Sequence, residues 1–263
     1  MQILIATAVV TAIGLLCAVI LAVASKIFEV KSNPKTEQIR ACLPGANCGA
    51  CGYAGCDGYA AALADETETN TALCTPGAAK VAADIADVLG VAPAEVTKKV
   101  ALVHCNGNCD NTSKKADFQG AKSCSAAKLL FGGDGKCLYG CLGYGDCLTV
   151  CEYDAIHIVN GVASVDIDAC TACGRCAKVC PNALIEIIPA TKPVAVKCNN
   201  KDKGAIARKN CTVACIGCMK CEKVCPTEAI KVENNLSRID YDKCIACGAC
   251  ADACPTNAIK FKN

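Results

Sequence analysis

The chain has 263 residues, 27 of them cysteine, and its 27 basic and 25 acidic residues leave a formal charge of +2. That balance gives no case for a nucleic-acid partner, and cysteine at this density implies either a disulfide or a metal scaffold. Disulfide scaffolds are typically short secreted domains. This chain is long, its cysteine count is odd and many cysteines sit in C-x2-C spacing, so metal binding in a reducing compartment follows. With no Trp and 4% aromatics, the cysteine-rich part can bury only a small core. Metal ligation would then have to supply much of its folding free energy.

At the amino end, Ile3 to Ala24 (ILIATAVVTAIGLLCAVILAVA) carries no charge and no Pro. As a helix it spans about 33 Å, enough for a hydrocarbon core. Ala22-Val23-Ala24 resembles a signal-peptidase site, but a basic leader is missing and the apolar run is too long for a signal peptide. Residues 1–25 are therefore expected to be a transmembrane anchor, with Cys17 a small apolar filler in it. Lys26, Lys31 and Lys35 follow, so the positive-inside rule puts the rest of the chain on the cytoplasmic side of the cell membrane, with the lipid bilayer as a partner. Residues 26–35 read as a linker ending near Pro34.

Residues 36–100 form a module with Cys48, Cys51, Cys56 and Cys74, in NCGACGYAGC and CTPG. Four cysteines suit one self-contained centre. Around them KTEQIRACL, DGYAAALA and PGAAKVAADIADVL look helical, the last with Pro76 near its start and Gly90 after its end. Residues 101–136 hold Cys105, Cys109 and Cys124 and show no clear periodicity.

From residue 137 the sequence repeats. CTACGRCAKVCP (170–181), CIGCMKCEKVCP (215–226) and CIACGACADACP (244–255) each read C-x2-C-x2-C-x3-C-P, and a short strand-like segment follows each. Between the runs, AIHIVNGVASVDI alternates around Asn160-Gly161, a type I′ turn pair, and AIKVENNLSRIDYD around Asn234-Asn235. A C-x2-C-x2-C loop supplies three corners of a [4Fe–4S] cube, and in two-cluster ferredoxins the fourth thiolate is the cysteine before Pro in the other run. Zinc sites instead pair two CxxC units. Exchange gives one cluster on Cys215, Cys218, Cys221 and Cys254 and a second on Cys225, Cys244, Cys247 and Cys250.

The run CLYGCLGYGDCLTVCEYDAI (137–156) aligns without a gap on CTVACIGCMKCEKVCPTEAI (211–230). Tyr144 stands at the position of Cys218 and Glu152 at that of Pro226. Cys137 supplies a replacement thiolate upstream, so the expected sets are Cys137, Cys141, Cys147 and Cys180, then Cys151, Cys170, Cys173 and Cys176. Cys211 is spare on this alignment. Five [4Fe–4S] clusters result. Cys105, Cys109 and Cys124 can hold a sixth, with Cys198, Cys211 or Cys42 completing it; the alternative is that they are free structural thiols. His157 reads as an ordinary strand residue, whereas His104 adjoins Cys105. No acid, base or nucleophile constellation makes the isolated chain an enzyme, and it has no catalytic residues of its own.

Taken together, the amino-terminal apolar span, LPGANCGACGYAGC with Cys74 in CTPG, and the tandem ferredoxin runs resemble the B subunit of the Rnf complex, the ion-translocating ferredoxin:NAD oxidoreductase, over essentially the whole chain. Two ferredoxin units and the 101–136 insert resemble the longer forms of anaerobic bacteria. The resemblance implies an electron-transfer subunit that accepts electrons from reduced ferredoxin and relays them to membrane and flavin- or NAD-binding subunits. An electron-transfer subunit of another membrane reductase or hydrogenase complex is the alternative. The expected fold class is α+β: a transmembrane helix, a small mainly helical [4Fe–4S] module, then two tandem two-cluster ferredoxin-like units at 137–190 and 211–263. Between these, at 191–210, Lys192, Lys197, Lys201, Lys203, Arg208 and Lys209 form a basic linker, read either as a docking surface for an acidic ferredoxin or as a solvated connection.

Overall fold

The computed structural model describes residues 2–27, 33–192 and 194–261, with side chains of the first helix described at Ile5 and over 11–25. Helix α1 (Gln2–Ile27) forms from the amino-terminal apolar run and leaves Ile13, Leu15, Leu16 and Leu21 exposed. The expected fold class is nevertheless corrected at this point. Among the described residues no helix is long and apolar enough to cross a membrane, so a transmembrane anchor is not supported. The single-pass membrane localisation and the bilayer as a partner go with it. Of the linker expected at 26–35, residues 28–32 lie outside the described residues.

The amino-terminal module is three short helices, α2 (Pro34–Cys42), α3 (Cys56–Ala64) and α4 (Ala78–Leu89). Asn33 caps α2 through its side chain with Pro34 in the first turn, the arrangement that suits a helix start. Gly90 ends α4 in the left-handed region at φ 70°, as a C-cap glycine does. Ile39, Tyr59, Leu63, Val81 and Ile85 form its core.

The remainder is one pattern used twice. Strand β1 (Lys99–Val103) begins the first unit. Helix α5 (Cys124–Leu129) follows within the insert and α6 (Asp146–Thr149) within the first cysteine run. Then come the hairpin β2 (Ile156–Val159) and β3 (Val162–Val165), helix α7 (Arg175–Val179) and strand β4 (Ile185–Pro189). The second unit runs β5 (Val194–Val196), α8 (Gly204–Asn210), α9 (Lys220–Lys223), β6 (Ile230–Glu233), β7 (Leu236–Ile239), α10 (Ala249–Asp252) and β8 (Ile259–Phe261). The turns at Asn160-Gly161 and Asn234-Asn235 have positive φ at both positions, which a two-residue I′ hairpin requires.

β1 pairs antiparallel with β4, and β5 with β8. Each unit therefore reaches upstream of its cysteine runs, to residue 99 and residue 194. The repeat extends to single bonds: His104 N–H donates to Leu184 O and Lys197 N–H to Ala258 O, both at 2.7 Å. Val100, Leu102 and Ile188 of the first unit pack against Ala195 of the second, so the two halves share a core. Both units bury few large apolar side chains and fill their centres with cysteine.

Candidate metal centres

Backbone shape explains how these loops gather thiols. In the three full runs a residue with positive φ stands on each side of the middle cysteine: Ala172 and Gly174, Gly217 and Met219, Ala246 and Gly248. Two left-handed residues curl the chain so that three consecutive cysteines converge. The departing run keeps this shape, with Gly143 at φ 75° and Gly145 at φ 85° flanking Tyr144. The cradle is preserved although its middle thiol is gone.

Four hollows of similar size are each lined by at least four cysteines. Cys225, Cys244, Cys247 and Cys250 line one of about 340 Å³, and Cys151, Cys170, Cys173 and Cys176 one of about 320 Å³. These are two of the groupings expected from the exchange rule. A third, about 400 Å³, is lined by Cys124, Cys141, Cys147 and Cys180. The fourth and largest, about 450 Å³, is lined by Cys105, Cys137, Cys198 and Cys211 together with Cys141. The structure thus groups Cys137 apart from Cys147 and Cys180, with Cys124 in the place it was expected to take. It puts Cys211, spare on the alignment, beside Cys137.

Two further groupings are visible in how the thiols act on one another. Burial pushes the Cys221 thiol up to about 11, helped by Cys215, Cys218 and Cys254. Cys74 is likewise raised by burial, with Cys56, Cys48 and Cys51 adding to it. The same holds in the hollows: burial first, then neighbouring thiols, push Cys147 and Cys105 up to about 12 and Cys176, Cys198 and Cys250 up to about 11. Four like charges cannot gather in a buried space unless a cation offsets them. The donor sets therefore fit a positively charged metal centre that takes the thiols as thiolates and releases their protons.

Numbered for reference, site 1 is Cys48, Cys51, Cys56 and Cys74; site 2 is Cys151, Cys170, Cys173 and Cys176; and site 3 is Cys124, Cys141, Cys147 and Cys180. Site 4 is Cys105, Cys137, Cys198 and Cys211; site 5 is Cys215, Cys218, Cys221 and Cys254; and site 6 is Cys225, Cys244, Cys247 and Cys250. Backbone N–H groups aim at the sulfurs at 3.3–3.4 Å: Ala101 at Cys170, Ala155 at Cys151, Leu184 at Cys180, Ala229 at Cys225 and Ala246 at Cys244. Such donors favour the thiolate form and tune the potential of an iron–sulfur group. Among the described residues no group of three or more His, Cys, Asp or Glu side chains is arranged to hold a single metal ion.

Three side chains that departed from the repeat have structural roles. Tyr144 turns out of the cradle to donate to Asp134 at 2.8 Å and to stack edge-on against Phe118, which pins the insert. Asp146, at the position of Lys220, accepts from Cys124 N–H at 2.8 Å, from Ser125 N–H at 3.0 Å and from the Ser123 and Ser125 hydroxyls at 2.9 Å. Burial raises its carboxyl, but those donors outweigh it and hold it below the usual aspartate range. Glu152, in place of Pro, pairs with Arg175, whose other nitrogen donates to Ala46 O. Lys178 donates to Cys48 O at 3.0 Å. Site 1 is thereby fixed beside site 2; the second unit has Ala249 and Asp252 at these positions and holds no such module.

Cys109 is exposed and lies against the Gly161 turn, outside the hollows. Cys42 donates to Gln38 O within α2, and Cys17 is exposed on α1. His104 is buried with both ring nitrogens engaged, Nδ1 at 2.7 Å from Val196 O and Nε2 at 2.6 Å from Glu186, so it has none free for a ligand. His157 is an exposed residue of β2.

Comparison with known proteins finds iron–sulfur domains in three stretches of the chain. Residues 43–76 match the Fe-S cluster family, 169–230 the 4Fe-4S dicluster domain and 237–260 the 4Fe-4S binding domain. The B subunit of the Na(+)-translocating ferredoxin:NAD(+) oxidoreductase complex of Acetobacterium woodii is 47% identical over 231 residues, covering 88% of this chain and 69% of that protein. The proton-translocating counterpart of Clostridium ljungdahlii is 40% identical, covering 88% and 82%. The B subunit of the ion-translocating oxidoreductase complex of Methanosarcina acetivorans is 38% identical, covering 90% and 89%.

Proposed function

The chain belongs to the B-subunit family of the ion-translocating ferredoxin:NAD oxidoreductase (Rnf) complex, and on that premise we propose that it accepts electrons from reduced ferredoxin and relays them to partner subunits. An electron-transfer subunit with multiple iron–sulfur groups is what its 4Fe-4S domains and its relatives support. The observation that carries the finer reading is the contact between successive cysteine sites. Arg175 and Lys178 bind site 1 to site 2, and Cys176 of site 2 adds to the raised pKa of Cys147 in site 3. In the second unit, α9 and α10 pack together between sites 5 and 6.

Sites 1, 2, 3, 5 and 6 would each hold a [4Fe–4S] cluster, which supplies one-electron transfer when bound. The chain's own part is to converge four thiolates, give N–H bonds to sulfur and keep water from most of each site. Cys147, Cys176 and Cys221 are buried, whereas Cys218 and Cys247, both in the second unit, are exposed. A partner carrying an electron can therefore approach sites 5 and 6 most closely.

Charge points to the same half of the chain. Residues 191–263 hold 13 basic and 7 acidic residues, a net +6, which leaves −4 of the chain's +2 on residues 1–190. Of the basic stretch, Lys201, Lys203, Arg208 and Lys209 are exposed on or beside α8, while Lys192 donates to Cys244 O and Lys197 is partly buried. These four exposed cations suit electrostatic steering of an acidic ferredoxin. Reversing charge at Lys201, Lys203 and Arg208 should slow electron uptake from reduced ferredoxin by tenfold or more at low salt and flatten its ionic-strength dependence. Stopped-flow bleaching of the chain checks this, and unchanged kinetics would move the docking face elsewhere.

A further inference from the structure

Site 4 is unlike the others because its four thiols come from four separate segments, two in each unit. Cys105 follows β1 by two residues, and Cys198 follows β5 by two. Cys137 precedes Cys141 by four residues, and Cys211 precedes Cys215 by four. The two pairs are equivalent under the repeat, one from each unit. Their hydrogen bonds are equivalent too: Cys141 N–H donates to Cys105 Sγ and Cys215 N–H to Cys198 Sγ, both at 3.3 Å.

We infer that Cys105, Cys137, Cys198 and Cys211 hold a further [4Fe–4S] centre, set between the ferredoxin-like units and taking two thiolates from each. The inference rests on the iron–sulfur reading above and adds a site to it. The four sulfurs border the largest of the four thiol-lined hollows. Backbone approaches two of them closely: a Cβ at Gly107 would lie in contact with Cys211 Sγ at 3.4 Å and with Cys105 Sγ at 3.6 Å. The Asn200 side-chain amide donates to Cys137 Sγ across the unit boundary at 3.4 Å.

Bonds that do not involve sulfur hold the halves in register around this site. Thr112 Oγ1 donates to Asn210 O at 2.7 Å, Thr212 N–H to Asn111 O at 2.9 Å and Asn199 Nδ2 to Asn182 O at 3.1 Å. His104 joins them by its bond to Val196 O. The cradle is thus preorganised by the interface, and the insert contributes to it through Asn111 and Thr112. Its neighbours are site 3 through Cys141 and site 5 through Cys215, so site 4 lies between the two units' own sites.

The test is iron counting on the full chain purified without oxygen. At four irons per centre, the unaltered chain should hold about 24. Cys137→Ala and Cys211→Ala should each hold about 20, and the double variant also about 20, because all three lose the same centre. Cys109→Ala should keep about 24. A full iron complement in Cys211→Ala, or a double variant that loses about eight irons, overturns the inference. Should an alanine variant fail to fold, the unaltered chain decides: about 24 irons supports site 4 and about 20 overturns it. An unaltered chain holding zinc and no iron would overturn the electron-transfer reading itself, which is a separate outcome.

Discussion

Replacing Cys124 with alanine is expected to remove about four irons per chain, one [4Fe–4S] centre, although Cys124 belongs to no cysteine motif. The reason is geometric. Tyr144 occupies the place of a middle ligand and turns away to Asp134, while Asp146 holds the start of α5 so that Cys124 faces Cys141, Cys147 and Cys180. Asp146→Ala removes the acceptor of both N–H groups and both hydroxyls, a loss of about 1–3 kcal/mol by capping and buried-bond scales. It should leave the centre bound but released faster to a chelator. The preserved left-handed residues on either side of Tyr144 allow a sharper test. Tyr144→Cys in the Cys124→Ala background restores the middle ligand to a loop already shaped for it. That double variant should regain the four irons. Retention of all iron in Cys124→Ala alone would contradict the grouping.

Stripping iron from the chain is expected to unfold both ferredoxin-like units while sparing much of the amino-terminal helices. In the second unit the buried cluster contains Val194, Val196, Ile230, Leu236 and Ile259 as its large apolar members, and Cys198, Cys211, Cys215 and Cys221 fill the rest with three alanines. Five aliphatic side chains, worth about 1.5–3 kcal/mol each when buried, cannot order some 70 residues at about 1–2 kcal/mol each of backbone entropy. Metal ligation has to make up the difference. The amino-terminal module has Tyr59, Ile39, Leu63, Val81 and Ile85 packed between three helices and depends on its metal less. Amide exchange after anaerobic chelation checks this. Protection in β5–β8 should fall by more than a hundredfold, and protection in α3 and α4 by much less. Equal protection before and after iron removal would mean that the metal does not hold the fold.

The cysteine runs were legible because C-x2-C-x2-C-x3-C-P leaves few alternatives, and the hairpins because Asn-Gly and Asn-Asn interrupt strict alternation. The helices of residues 34–89 announced themselves by period and caps. Strands β1 and β5 did not: KVALV and VAV are apolar runs too short to show a period, and their partners lie about 65–90 residues away. Without them the equivalence of Cys105 and Cys198 had no frame. The gap-free alignment did place Cys137 over Cys211, and both line site 4. It could not show that the thiol missing at Tyr144 is matched by one from an insert 20 residues upstream. Asp146 followed by Cys147, with Ser123-Cys124-Ser125 offering four donors, was the signal available, and only a fold brings those segments together. The amino-terminal apolar run shows the opposite case, where composition alone suggested a membrane span that the described helix does not support.

If this chain takes electrons from ferredoxin into several centres, anaerobic titration of the oxidised full chain with reduced ferredoxin should show it, read by visible absorbance and electron paramagnetic resonance. The broad iron–sulfur absorbance should bleach progressively and reduced-cluster signals should appear. The limit should be about six electrons per chain, one per [4Fe–4S] centre. An iron-loaded chain whose spectrum stays unchanged on addition of reduced ferredoxin would contradict electron acceptance from that donor.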